Sequence, residues 1–322
     1  MAGISDHNGG MTRGHTWRAL AVATLLFALI SASCHVASSQ LTDDTFTYDQ
    51  QGADWQGACT DPTSRFQSPV DIITRNATRV SFLGDIQSRG QYTPSVSGVS
   101  LAHNNHTVEI SFSEPTNYIQ FPMLNVQPYN NSVTWPLNTY TLANLGATQP
   151  PVRLVRLELR QCHVHWSSDH DINGQQRDIE FHCVHTAQDP AQRPAVGVWG
   201  VFYNRGPKGY KCDPMLESIF SALPMVVQLA PKVKMPVPVS GFSAARFFPQ
   251  DKTYFHYYPG SLTTPPCSEG LLWYVFRQTK LICQRHFQLI TDAITTLNGR
   301  GEQNFRDPQS LGGRVMYQST GN

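Results

Sequence analysis

The tightest constraint on the fold of this chain is a two-residue alternation that recurs in several segments. Val108, Ile110 and Phe112 alternate with Glu109, Ser111 and Ser113. Leu157, Leu159, Gln161, His163 and His165 share one parity, and Glu180, His182 and Val184 share another. Successive side chains leave a β-strand on opposite faces, so this period marks strands with one face turned inward. Leu272–Phe276 adds a continuous apolar run of strand length. Helical patterns are few, with Pro214–Leu223 and Gln284–Leu297 as the two candidates. The proline-rich piece Pro231–Pro238 reads as a loop. No repeat, low-complexity stretch or linker interrupts the chain from residue 40 onward. The alternation therefore predicts a single, mainly β domain with short peripheral helices.

The first 39 residues stand apart. Arg13 and Arg18 precede Ala19–Ile30, a 12-residue stretch that is apolar but for Thr24, and small residues follow at Ser31–Ser33 and Ala37–Ser39. This is the layout of a signal peptide, and it is too short for a bilayer span, which needs about 20 residues. Cleavage near Ser39 would leave a mature chain, 40–322, that is secreted and extracellular and has no transmembrane segment. The polar tail Tyr317–Asn322 carries no lipid-anchor pattern. The formal net charge is +1 with no basic run, which argues against nucleic acid or a membrane surface as partner. Of the seven cysteines, Cys34 leaves with the leader, and Cys59, Cys162, Cys183, Cys212, Cys267 and Cys283 remain. They would face an oxidising compartment, where disulfides form.

The histidines carry the chemistry. On a strand, His163 and His165 project from the same face. Asp171-Ile172-Asn173-Gly174 has turn composition, so the chain can reverse and bring His182 back beside the first pair. Three neutral imidazoles without a fourth protein ligand describe a catalytic zinc site with an open position, whereas a structural site would be closed. His185 has the opposite parity from His182 and His170 sits in the turn, so both are assigned structural hydrogen bonds. Gln161 and Glu180 each lie two residues before a ligand on the same face, where they can orient an imidazole.

The segments so far quoted resemble the alpha-class carbonic anhydrases of the secreted, animal type. The matching pieces are Phe66–Ile72 (FQSPVDI), Asn104–Val108 (NNHTV), Gln161–Trp166 (QCHVHW), Ser168–His170 (SDH), Glu180–His185 (EFHCVH), Tyr258–Pro266 (YPGSLTTPP) and Asn304–Arg314 (NFRDPQSLGGR). They keep the family's order from residue 46 to 317. The resemblance implies a large, twisted, mostly antiparallel central sheet with Zn2+ at the base of a conical cleft. It implies a carbonate dehydratase, a zinc lyase that hydrates carbon dioxide reversibly to bicarbonate and a proton by a zinc-bound hydroxide.

The resemblance also assigns roles. Thr263 accepts a hydrogen bond from the nucleophile and donates to Asp169, where the family usually has Glu, and Thr264 lies beside it. Val184, Val198, Leu262, Leu271 and Trp273 form an apolar wall for carbon dioxide. The carbonyl of Asn304 orients His165. His106 is the proton shuttle, with His103 as a partial substitute, because an imidazole loads and unloads a proton near physiological pH. Tyr48, Asn104 and Glu109 order the water chain, Glu109 standing where a neutral amide is usual. The stretch between Trp166 and Ser168 is shorter than usual, Asn105 replaces a usual Gly, and Asp307 a usual Pro.

Secreted relatives cross-link the regions of Cys59 and Cys267, which are expected to pair. Cys162 and Cys183, on the zinc strands, are expected to be buried free thiols, and Cys212 with Cys283 is a second bridge. Three Asn-x-Ser/Thr sequons occur. Asn76 and Asn130 are the glycan candidates, whereas Asn105, next to His106, is expected to be bare. The rival reading is a catalytically silent relative that serves as a binding or matrix module. Such relatives typically lack a zinc histidine, and all three are present. A metallopeptidase would carry His-Glu-x-x-His, which does not occur.

Overall fold

The computed structural model describes residues 46–80, 90–91, 99–112, 118–124, 152–189, 195–239, 242–299 and 302–320. The leader expected at 1–39, with Cys34, and the sequon at Asn130 lie outside the described residues. In chain order the strands are β1 Asp71–Ile72, β2 Thr78–Val80, β3 Gly90–Gln91, β4 Val99–His103, β5 Val108–Phe112, β6 Tyr118–Leu124, β7 Val152–His165 and β8 Asp171–Ile172. They continue with β9 Ile179–Thr186, β10 Val196–Arg205, β11 Met235–Val237, β12 Phe255–Ser261, β13 Glu269–Phe276, β14 Lys280–Ile282 and β15 Tyr317–Ser319. The helices are α1 Pro214–Ser221, α2 Leu223–Val226 and α3 Gln284–Asn298.

One large mixed sheet runs β11-β4-β5-β7-β9-β10-β13-β12-β15-β2, while β1 and β8 pair separately. Antiparallel pairing prevails from β11 to β10 and from β13 to β15. The joins β10–β13, β10–β14 and β15–β2 are parallel. The fold is therefore mostly β, as expected.

Alternation sorts the side chains onto two faces. On β10, Trp199, Val201 and Tyr203 enter the larger apolar cluster, and Val198 and Phe202 enter a smaller one behind it. Leu216, Ile219 and Phe220 of α1 and Ile290, Ala293 and Ile294 of α3 belong to the larger cluster, so the helices cover that face. Both helices start at capped ends. Asp213 accepts the Met215 N–H ahead of Pro214, and Cys283 Sγ accepts the His286 N–H, as orphan donors in a first turn require.

Three expectations need correction. The shared parity of Leu157, Leu159, Gln161, His163 and His165 is broken by a register shift between Leu159 and Gln161. This bulge turns Leu157 and Leu159 into the larger cluster together with Cys162 and Val164, and leaves Gln161, His163 and His165 on the other face. Within Pro231–Pro238, Met235–Val237 is an edge strand paired with β4, not loop; an edge position tolerates the missing N–H of Pro236. Cys162 and Cys183 are not free thiols. They stand opposite each other on β7 and β9 and form a disulfide. Cys59–Cys267 and Cys212–Cys283 are bridged as expected.

Candidate metal centre

β7 and β9 build the centre rung by rung. His163 faces His182 and His165 faces Glu180 across the ladder. Directly opposed residues share a face, so three imidazoles converge, with ring centroids 5.2, 5.3 and 4.4 Å apart. One nitrogen from each lies within 4.8 Å of the others. Each ring has an oxygen close to one of its nitrogens, and at His163 and His165 that oxygen is a hydrogen-bond partner. His163 Nδ1 is 3.0 Å from Gln161 Oε1, His165 Nδ1 is 2.7 Å from the Asn304 carbonyl, and His182 Nε2 is 3.0 Å from Glu180 Oε1. This leaves Nε2 of His163 and Nε2 of His165 as available donors, and the Nε2 of His182 makes no hydrogen bond among the described residues despite the nearby carboxylate. Nε2 of His165 is buried without a hydrogen-bond partner among the described residues.

The electrostatics favour the neutral form of His163 and His182. Burial, and then the neighbouring His165 and His182, hold the pKa of His163 well below the usual histidine value. Burial lowers His182 as well, against the opposing pull of Glu180. Neutral imidazole is the form that ligates a metal. Burial by itself would raise the pKa of Glu180, but His170 and His182 outweigh it and hold the carboxylate ionised.

His170 is the other half of that arrangement. Its backbone N–H donates to Glu180 Oε2 at 2.9 Å, its Nδ1 lies 2.9 Å from Oε1, and its Nε2 lies 2.6 Å from Tyr258 Oη. Sequence reasoning gave Tyr258 no role, although it opens the YPGSLTTPP segment. Gly200, opposite His182 on β10, makes room for this group, since a Cβ there would come 2.6 Å from Glu180 Oε1. His185 points to the other face and lies 2.9 Å from the Cys183 carbonyl.

The expected wall is one unit. Val198, Leu271 and Trp273 belong to the smaller apolar cluster, and Val184 and Leu262 pack against it. The Trp273 ring lies 4.6 Å from His182. Thr263 is buried and Thr264 half-buried in the turn after β12. Asp169 is fully buried. Its Oδ1 accepts the Arg306 N–H at 2.8 Å, and its Oδ2 has no hydrogen-bond partner among the described residues. The expected contact from Thr263 to Asp169 is not made. Asp is one methylene shorter than the usual Glu, and its other oxygen is held by Arg306.

On the proton route, His106 is 7% exposed and stacks on Phe46 at 3.9 Å, with Tyr48 edge-on at 6.0 Å. Asn104 Oδ1 accepts the N–H groups of His106 and Thr107, so its oxygen shapes the turn. His103 is no substitute shuttle. Its Nε2 lies 2.9 Å from the Leu229 carbonyl and its Nδ1 accepts the Asn105 N–H. Glu109 stands opposite His163. Burial raises its pKa, against the pull of Lys234 and Lys232. Asn304 joins the two halves, because its carbonyl meets His165 while its Nδ2 donates to the His106 and Val164 carbonyls.

Residues 50–320 match the family model described as eukaryotic-type carbonic anhydrase. The chain is 29% identical over 256 residues to a carbonic anhydrase of Neisseria gonorrhoeae, covering 80% of this chain and 78% of that protein. It is 27% identical over 271 residues to mouse carbonic anhydrase 7, covering 79% and 88%. Among solved structures, carbonic anhydrase Cah3 from Chlamydomonas reinhardtii in complex with acetazolamide has a similar fold, with TM-score 0.59, 24% identity, and 83% of this chain and 95% of that chain covered. Dioscorin complexed with ascorbate also matches, at TM-score 0.58 and 20% identity, covering 81% and 87%. At these identities the two structures show a likeness of fold.

Proposed function

Because the chain belongs to the eukaryotic-type carbonic anhydrase family, whose general reaction is the hydration of carbon dioxide, we propose that it is a zinc-dependent carbonate dehydratase. Its metal ligands are His163, His165 and His182. The observation that carries this reading is the convergence of three imidazole nitrogens within 4.8 Å, with Gln161 and the Asn304 carbonyl at the other nitrogens of His163 and His165. The residues fit the metal, since burial favours the neutral form of His163 and His182 and the buried Nε2 of His165 has no hydrogen-bond partner among the described residues. Zinc held there supplies a Lewis acid that makes water nucleophilic near neutral pH, an effect for which carbonic anhydrases are themselves the type case.

The chain's own residues do the rest. Gln161, the Asn304 carbonyl and Glu180 fix the tautomers and orientations of the three rings. Val184, Val198, Leu262, Leu271 and Trp273 present an apolar wall, which suits a substrate without a net dipole. Thr263, with Thr264 beside it, orients the attacking oxygen toward that wall, without the hydrogen bond to Asp169 that the family resemblance implied. His106 carries the released proton outward past Tyr48 and Glu109, and Asn104 holds its turn in shape. Residues 40–322 form the mature chain. It is secreted, a reading supported by three disulfides, which fit an oxidising compartment. Among the described residues no helix is long and apolar enough to cross a membrane. Asn76, exposed on a single helical turn, is a glycan acceptor.

Stopped-flow hydration of carbon dioxide combined with metal analysis tests the reading. The expected result is stoichiometric zinc and a hydration rate that a chelator abolishes and zinc restores. A chain that binds no zinc sinks the proposal. Zinc without hydration favours a silent binding module, a second reading to which Asp169 lends support, since its Oδ2 makes no hydrogen bond to Thr263 or to any other of the described residues.

A further inference from the structure

The three disulfides differ in what they join. Cys212–Cys283 ties the chain just before α1 to the start of α3, and Cys59–Cys267 ties an N-terminal turn to the loop after Thr263. Cys162–Cys183 joins β7 to β9 one rung from two proposed metal ligands, because Cys162 opposes Cys183 and His163 opposes His182 in successive register. Both cysteines are fully buried in the larger apolar cluster, on the face away from the histidines. The bridge therefore acts on the ligands through the backbone alone.

Its position suits that task. The ladder between β7 and β9 is irregular between Leu159 and Gln161, and β7 ends at His165. A bulge leaves one residue unpaired and locally disrupts the ladder. The segment carrying Gln161, His163 and His165 thus lies between an irregularity and a strand end. The Cα atoms of Cys162 and Cys183 are 4.1 Å apart. That is nearer the roughly 4.5 Å of an antiparallel rung without direct backbone hydrogen bonds than the roughly 5.5 Å of one that has them. A covalent link falls where the ladder supplies least.

We propose that the Cys162–Cys183 disulfide is a positioning element for the metal centre, fixing the offset of β7 against β9 so that His163, its partner Gln161 and His182 stay in ligating geometry. This rests on the reading of the three histidines as metal ligands. Residues that orient ligands without touching the metal typically govern its affinity by about 10- to 100-fold.

The test compares two bridge variants, Cys162→Ala/Cys183→Ala and Cys162→Val/Cys183→Ala, the second restoring core volume, with the control Cys212→Ala/Cys283→Ala. The readouts are the rate of zinc release to a chelator and the visible spectrum of the cobalt-substituted protein. Bridge variants are expected to release zinc about 10-fold faster or more and to show a shifted cobalt band. The control keeps wild-type release and spectrum even when its melting temperature falls as far. Unchanged release and spectrum in a folded bridge variant, or equal acceleration in the control, overturns the proposal. A wild-type protein that retains no zinc fails differently, because it removes the metal reading itself.

Discussion

At the scale of single residues, the centre divides into groups that hold a metal and groups that aim the chemistry. His182 opposes His163 on the ladder, has its Nε2 3.0 Å from Glu180 Oε1, and converges with the other two rings. His182→Ala is expected to lose zinc and hydration together, since two imidazoles rarely hold a catalytic zinc; metal analysis of the purified variant checks this. Asp169 presents the opposite case, a fully buried carboxylate with one oxygen accepting from Arg306 and the other making no hydrogen bond among the described residues. Asp169→Glu adds the methylene needed to approach Thr263. It is expected to raise kcat/KM about 10-fold, equivalent to about 1.4 kcal/mol in the barrier. Overpacking a full core should at the same time cost about 1–3 kcal/mol of stability. Paired kinetics and denaturant melts separate the two effects, and a variant with unaltered kcat/KM would show that Thr263 is oriented without this carboxylate.

Among the elements, the turn between β4 and β5 carries both Asn105 and His106. Asn105 sits there at φ 71°, a left-handed conformation that costs most side chains about 1–2 kcal/mol and that Asn and Gly adopt readily. Asn105→Ala should therefore lower stability by about 1 kcal/mol, while Asn105→Gly should not, as thermal unfolding will report. The same turn carries His106 against Phe46. His106→Ala is expected to lower the maximal hydration rate in weak buffer and to recover much of it with added imidazole, leaving the carbon dioxide step unchanged. An unaltered rate in weak buffer would remove His106 from the proton route, and the engaged ring of His103 would not replace it. A glycopeptide map is expected to find Asn105 bare, since a glycan there would crowd the ring next to it.

For the molecule as a whole, buried neutral histidines make stability depend on pH. Burial lowers the pKa of His185 to about 3 and that of His256 to about 4. The unfolded chain protonates both below roughly 6.5. Between these values the unfolded state binds more protons, so stability is fully present above about pH 6.5 and declines as the pH falls toward 4. From pH 7 to pH 5 the loss should be on the order of 2 kcal/mol for each ring. Denaturant midpoints at the two pH values measure the decline, and a pH-independent midpoint would contradict it. The strands bearing the histidines, the two longer helices and the polarity of the faces were legible in the sequence, because a side chain's face follows from local period and chemistry. His-x-His on one strand and Glu-x-His on the next carried the centre for the same reason. Register and bulges were not legible. Whether Cys162 meets Cys183, whether Leu159 and Gln161 share a face, and whether Asp169 reaches Thr263 each depend on offsets of one residue or one methylene between segments far apart in the chain. Only the packed sheet decides those offsets, since pairing energies at neighbouring registers differ through the summed contacts of both faces and not through any one strand's own pattern.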